Sequence, residues 1–461
     1  EQHRPQICQG AILTIDISGF SVLSENLCRQ GPRGVETLSS LVRHMFGTVT
    51  DLSLDHGGDV LYFAGDAVAV HFPAVQDEPL SLAVVRACMA GRAAIDMLNG
   101  RTPVPGFSLR LRAAVGAGSY SAMEVGGTDG RWVFLVTGPA VVDARLADAA
   151  GSPGKLTISQ HAAEQARLHL TLEALPNGIW RVLHVNTPAP VAPLAMLSIP
   201  QSLLAALEHR VPPSSLHRLR ADIADVKALF AEFRPITAIF MSLPGFDLHD
   251  EQQLRQLQAI VVIVQEELHR RGGVLHSVLG DKGTGFVGMF GLPPQAHDDD
   301  AVRALDTALA IAATVAASGV KVQIGVASGP AYLGESGAAR RRGYDVFGST
   351  MVLAARLMQQ ATADGLGGLI CCERTRRLAE RNMEFDELPP LRLKGFAEPV
   401  DVARPRGRRD VKVADQAHTI GRQPEIRMLA QRLDALVHAA SSAAGAGPDQ
   451  AASDGAASDA A

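Results

Sequence analysis

A chain of 461 residues, 47% hydrophobic and 20% charged, has enough apolar material for full cores, which excludes a disordered or fibrous protein; the length suits two domains of roughly 180 to 200 residues plus connections. The net charge of −5 excludes the basic surplus that drives binding to phosphate backbones or anionic lipid, so no nucleic acid and no membrane surface is expected as a partner. Purely apolar runs such as 259–264 fall far short of the roughly 20 residues a membrane-spanning helix needs. Cys8, Cys28, Cys88, Cys371 and Cys372 show no C-x-x-C spacing, which predicts reduced thiols and a cytoplasmic setting. No signal peptide is recognisable, and a chain starting at Glu1 is expected to be a piece of a longer one.

Taken in chain order, the predicted elements occur twice, about 210 residues apart. An apolar strand comes first, Ala11-Ile-Leu-Thr-Ile-Asp16-Ile-Ser-Gly-Phe20, and again as Ala238-Ile-Phe-Met-Ser242-Leu-Pro-Gly-Phe246. Hairpin-like segments around Gly-Asp follow, ending at Asp66 in the first copy and Asp281 in the second, each with an apolar strand behind it that ends in Phe72-Pro73 or Leu292-Pro293. Apolar residues at three- and four-residue spacing predict helices over 80–99 and 298–317. Strands are predicted over 109–118 and 320–329, leading to the segments ending in Arg145 and Arg356. Each copy reads β-α-β-β-α-β with a further hairpin.

The stretch 188–213, rich in Pro, Ala and Leu, reads as a partly structured linker with helix-capable sequence after it to Phe233. Beyond Lys394-Gly395-Phe396 the core pattern stops. A helix-like element is predicted over 418–429, and from Ala439 the composition of Ala, Ser, Gly and Asp predicts a disordered tail.

These blocks resemble the class III adenylyl/guanylyl cyclase family, most specifically Asp16-Ile-Ser-Gly-Phe20, Phe63-Ala-Gly-Asp66 and the string from Tyr344 to Met358. Two copies on one chain resemble the soluble, bicarbonate-responsive adenylyl cyclases. The implied fold is α+β, two tandem ferredoxin-like domains over 8–185 and 233–405 that pair as an intramolecular pseudo-dimer. The linker is 186–232, and 406–461 leads toward a further module whose entry Gly421-Arg422 and Glu425 resemble.

The resemblance implies a phosphorus–oxygen lyase that makes 3′,5′-cyclic AMP and pyrophosphate from ATP at one site between the units, for intracellular signalling. The reaction concentrates negative charge at both ends, for which two Mg²⁺ or Mn²⁺ ions on carboxylates are a direct answer. Asp16, Asp66 and the carbonyl of Ile17 match the family's metal ligands, whereas Ser242 leaves the second copy with Asp281 alone. Asp345 matches the acceptor for the adenine amine, Phe347 follows it in the substrate-binding string, and His276 stands in the slot of a purine-contacting lysine. Arg356 matches the arginine that neutralises the phosphates, and Val352 replaces the family's asparagine one helical turn earlier. Arg145 resembles the bicarbonate-contacting arginine, but Tyr62 stands where its lysine partner would be and lacks the charge that attracts an anion. Two alternatives stay open: a catalytically weak nucleotide-sensing module controlling a downstream ATPase region, and a guanylyl cyclase.

Overall fold

The structure, a computed structural model, describes residues 5–19, 23–24, 26–27, 30–64, 67–75, 78–191, 199–220, 231–244, 251–279, 284–363, 365–396, 398–409, 424–425 and 427–433. Residues 1–409 form one compact unit and 410–461 another. Within the latter, the described backbone at 424–425 and 427–433 is helical; the expected tail from Ala439 and the residues Gly421 and Arg422 lie outside the described residues.

The first half runs β1 (Gln6–Ser18), α1 (Pro32–Asp55), β2 (Asp59–Ala64), β3 (Ala67–Pro73), α2 (Leu80–Leu98), β4 (Arg110–Gly126), β5 (Trp132–Thr137), α3 (Pro139–Ala149), β6 (Leu156–Ile158), α4 (Gln160–Ala166), β7 (Leu170–Ala174) and β8 (Trp180–Val185). Two short helices follow in the linker, α5 (Leu204–Glu208) and α6 (Pro213–Arg220). The second half repeats the plan: β9 (Ala231–Leu243), α7 (Glu251–Arg270), β10 (Val274–Leu279), β11 (Thr284–Phe290), α8 (Asp300–Ala317), β12 (Gln323–Ala338), β13 (Arg341–Phe347), α9 (Ser349–Gln360), β14 (Leu369–Cys372), α10 (Glu373–Ala379), β15 (Met383–Glu387) and β16 (Val402–Arg408). The sheets have the same order, β2-β3-β1-β4-β6-β8-β7 with β5 on β4, and β10-β11-β9-β12-β14-β16-β15 with β13 on β12. Both are ferredoxin-like βαββαβ sheets with extra strands.

Burial on two faces explains why β1 reads as an almost continuous apolar run. Ala11, Leu13, Ile15 and Ile17 join the main core with Leu38, Val42, Met45 and Val49 of α1, while Ile12 packs with Tyr120 and Val136 on the opposite face. The repeated Gly-Gly after α1 and α7 has a packing cause. A Cβ at Gly58 would meet the Phe72 ring at 2.6 Å, and one at Gly273 would meet the Phe290 ring at 2.6 Å.

Strand registers align the halves residue by residue. Asp16 faces Ala67 on β3 and Arg112 on β4, and Ser242 faces Gly285 and Gln323 at the matching place. Leu135 faces Met123 as Asp345 faces Gly334. In β2 and β10 a bulge leaves Leu61 and His276 as the unpaired residues, so Tyr62 matches Ser277.

The two halves interlock through the ends of β4–β5 and β12–β13. These strands run past the predicted limits of 118 and 329, to Gly126 and Ala338, and β9 starts at Ala231 where helix-capable sequence was expected. The reason for the β4–β5 and β12–β13 arms is tertiary, since each contributes side chains to the other half's core, whereas the start of β9 pairs with the β12 arm. Met123, Val125 and Leu135 belong to the second half's core, and Tyr332 and Phe347 to the first half's. Phe46 of α1 packs against Phe63 and Phe347 with ring centroids 5.5 Å apart in both pairs.

Four described cysteines are free, and burial pushes the Cys88 thiol up to about 12, so it packs as a protonated side chain. Arg86 on α2 is buried and donates to Glu78 Oε2 at 2.8 Å and to the Pro73 carbonyl at 2.9 Å. That guanidinium holds the Glu78 carboxyl below its ordinary value, against the opposing effect of burial. A carboxyl lowered in the folded state stabilises it above the unfolded pKa of 4.5, and the gain is lost as pH falls through the folded value. Glu78→Gln is therefore expected to lower Tm at neutral pH and to converge with wild type as pH falls through the lowered folded-state value, read by thermal melts across the range.

Candidate active site

A cavity of about 1060 Å³ opens between the two halves, walled by β2 and β5 of the first, β10 and β13 of the second, and the linker at 209–213. Asp345 projects from β13 into it, with its side chain 15% exposed. The buried Ser336, on β12, donates its hydroxyl to Asp345 Oδ2, which leaves Oδ1 toward His276 Nε2 at 3.7 Å. The bulge in β10 turns His276 into this wall, and its Nδ1 is buried with no hydrogen-bond partner in the structure. The cavity thus holds a fixed acceptor beside an unsatisfied ring nitrogen, the pattern that an aromatic ring with a donor and an acceptor on one edge would complete. Gly343 makes the arrangement possible, since a Cβ there would come within 2.8 Å of Asp345 Oδ2 and 3.0 Å of Ser336 Oγ.

Asp16 lies near the end of β1, and its Oδ2 is 2.6 Å from Nη2 of Arg112 on β4; the same guanidinium donates through Nε to Asp148 Oδ1 of α3 at 2.9 Å. Two carboxylates around one arginine leave a net negative charge. Ile17 faces Leu111 in the ladder and its side chain is fully buried. Asp66 and Asp281 lie outside the described residues. Among the described residues no group of three or more His, Cys, Asp and Glu gathers to hold a metal ion. Asp16 offers the hard oxygen that Mg²⁺ or Mn²⁺ prefers, and a divalent ion there would compete with Arg112. The donor set fits such an ion only in company with Asp66.

The remaining candidates are spread more widely. Arg356 is partly exposed on α9 and donates to Gln359 Oε1 at 2.8 Å, with Val352 half-buried one turn before it. The Phe347 side chain is fully buried against Phe46 and Tyr332, so it serves the packing between halves; it also borders a second cavity of about 580 Å³ at the start of α9. Tyr62 lines the large cavity, whereas Arg145, on α3, is not part of its wall and has a buried Nε with no hydrogen-bond partner. Sequence reasoning missed Arg112 and Ser336. The alternation in Leu109-Arg110-Leu111-Arg112 marks a strand with two outward arginines, but the register that brings one onto Asp16 is not local information.

Residues 230–402 match the family described as Adenylate and Guanylate cyclase catalytic domain. Human adenylate cyclase type 10 is 26% identical over 427 residues, covering 84% of this chain and 26% of the relative. The rat protein of the same name is 25% identical over 426 residues, covering 85% and 26%. The chain therefore spans about a quarter of the length of the curated relatives it matches. A solved structure titled a class III adenylyl cyclase-like ATP-binding protein from Pseudomonas aeruginosa aligns with a TM-score of 0.57 at 14% identity, over 81% of this chain and 85% of that one, a likeness of fold. No described helix is long and apolar enough to cross a membrane. Residues 230–402 are thus similar to the adenylate and guanylate cyclase catalytic domain, and the chain resembles adenylate cyclase type 10 over most of its length, on two tandem units of one fold.

Proposed function

We propose that this chain is an adenylyl cyclase that converts ATP to 3′,5′-cyclic AMP and pyrophosphate at the junction of its two halves. One observation carries the reading: the halves are equipped in opposite ways. The first has Asp16 where the second has Ser242, and the second has Asp345 where the first has Leu135. Neither half alone has both a carboxylate at the β1 end and an acceptor on the β5-type strand. A fold kept only for scaffolding has no need of such complementary loss.

Cyclisation joins ribose O3′ to the α-phosphorus and breaks the bond from that phosphorus to the pyrophosphate oxygen, while the 3′-hydroxyl proton departs. Asp16 and Asp66 would hold Mg²⁺ or Mn²⁺, which when bound stabilises the charge on the attacking and leaving oxygens. Asp345 accepts from the adenine amine, an arrangement guanine cannot satisfy because it presents a carbonyl there. Arg112 can exchange Asp16 for a phosphate oxygen while Asp148 keeps its orientation, and Arg356 adds a second permanently charged planar donor. Bicarbonate control through Arg145 is not supported, since Tyr62 supplies no charge. The domain limits 8–185 and 233–405, and a cytoplasmic location, belong to this proposal.

A second reading is a nucleotide-sensing module with little turnover, favoured by Val352 in place of a polar group one turn before Arg356 and by the hold of Arg112 on Asp16. Purified protein with ATP and Mn²⁺, assayed for cyclic AMP and by calorimetry for ATP affinity, separates the cases. Product formation supports the cyclase, tight ATP binding without product supports the sensor, and faster conversion of GTP supports a guanylyl cyclase. Ser336→Ala removes the bond that fixes Asp345 Oδ2 and is expected to lower kcat/KM for ATP by about three- to tenfold, chiefly through KM, with Ser336→Thr restoring it. An unchanged KM in the alanine variant would show that the serine does not orient the acceptor.

A further inference from the structure

The projecting ends of the two hairpins are held by different chemistry. Gly126–Arg131, the tip joining β4 to β5, lies along α7. There Gln258 Oε1 accepts from the Gly126 amide at 3.0 Å and its Nε2 donates to the Gly126 carbonyl at 2.6 Å. The buried Gln265, two turns on, accepts from the Thr128 amide at 3.2 Å and donates to the Arg131 carbonyl at 3.1 Å. Two glutamine amides thus satisfy four backbone groups of the tip. The tip joining β12 to β13, Gly337–Arg341, lies along α1. Arg340 donates to Asp51 Oδ1 at 3.1 Å, to the Asp51 carbonyl at 3.1 Å and to Asp55 Oδ1 at 2.8 Å, and Arg341 donates to the Val60 carbonyl at 3.1 Å. Helix and tip also approach closely, since a Cβ at Gly47 would stand 3.2 Å from the Gly337 carbonyl oxygen.

The Gly-Gly pairs that end α1 and α7 align the two helices. Gly47 then corresponds to Val262, Asp51 to Glu266, Asp55 to Arg270, Gln258 to Arg43 and Gln265 to Thr50. We propose that these differences form a pairing code that admits only unlike halves. If two second halves paired, the Arg340 tip would meet Val262 in place of glycine and Arg270 in place of Asp55, a steric clash and a like-charge contact. If two first halves paired, the Gly126 tip would face Arg43, which cannot accept from the Gly126 amide, and Thr50, too short to serve both Thr128 and Arg131. The part-buried backbone groups would lose their partners, and that loss outweighs the exposed ion pairs, which are individually weak. Exclusion of like pairs is as much a part of recognition as attraction of the right one. The chemical consequence follows from the asymmetric site: a pair of like halves would have two copies of Asp16 and no Asp345, or the reverse.

The code is tested in the full chain by giving each helix the other's residues and following amide hydrogen exchange. Gln258→Arg/Gln265→Thr places the α1 residues on α7, and exchange at the Gly126 and Thr128 amides is expected to rise about tenfold or more, with β4 core amides such as Val115 unchanged. Gly47→Val/Asp51→Glu/Asp55→Arg places the α7 residues on α1, and the tip at 338–341 is expected to lose protection similarly. Gln265→Thr and Asp55→Arg singly serve as milder variants that keep the fold, each acting on its own tip. Retained protection of either tip in its grafted helix would show that the helices are interchangeable and overturn the code. Because the readout is exchange, the result is independent of whether ATP is the substrate.

Discussion

Asp16→Ala is expected to lower kcat for cyclic AMP formation on the order of 10²- to 10³-fold while leaving the protein folded. The carboxylate is 15% exposed and is one of two held by Arg112. After its removal Asp148 still anchors the guanidinium, so the cost to stability is about 1 kcal/mol or less, as for other partly exposed ion pairs. What is lost is the only carboxylate of the described β1 end, and with it the site's hold on a divalent ion. Asp66→Ala should match it, whereas Asp281→Asn should have a much smaller effect because its partner position is Ser242. The assay is cyclic AMP production against Mn²⁺ concentration, with a thermal melt of each variant. Near-normal turnover in Asp16→Ala would remove Asp16 from the catalytic machinery, and equal sensitivity of Asp66 and Asp281 would point to two symmetric sites.

Asp345→Ala is expected to reduce kcat/KM for ATP about ten- to a hundredfold and to change GTP turnover little, which erodes the preference between the two bases. The size follows from leaving a buried donor unpaired, roughly 1 to 3 kcal/mol. Two features sharpen the expectation. Ser336 already occupies Oδ2, so a single oxygen faces the cavity, and the neighbouring His276 has a buried Nδ1 free to meet a ring nitrogen. If His276 donates to guanine O6, His276→Ala should depress GTP turnover more than ATP turnover. The measurement is kcat/KM for both nucleotides in wild type and each variant. An unchanged ATP:GTP ratio in Asp345→Ala would take that residue out of base recognition, and a wild-type preference for GTP would overturn the adenylyl assignment.

The sequence by itself determined the repeat, the β-α-β-β-α-β order and the asymmetry between Asp16 and Ser242. These are properties of local pattern: an almost continuous apolar run in β1, three- and four-residue spacing in α2 and α8, and short blocks in the same order twice. The tertiary structure alone decided three other things. The ends of β4 and β12 extend as arms because the opposite half buries them, and nothing within Gly118–Gly126 or Gly329–Ala338 signals a partner more than a hundred residues away. Arg112 reaches Asp16 through strand register, since one step of slip would turn it to the other face. His276 enters the wall beside Asp345 because of a bulge in β10, which moves it out of step with Tyr62 and makes Ser277 that residue's counterpart. Local sequence sets which elements form, whereas pairing register and burial between halves set which side chains meet.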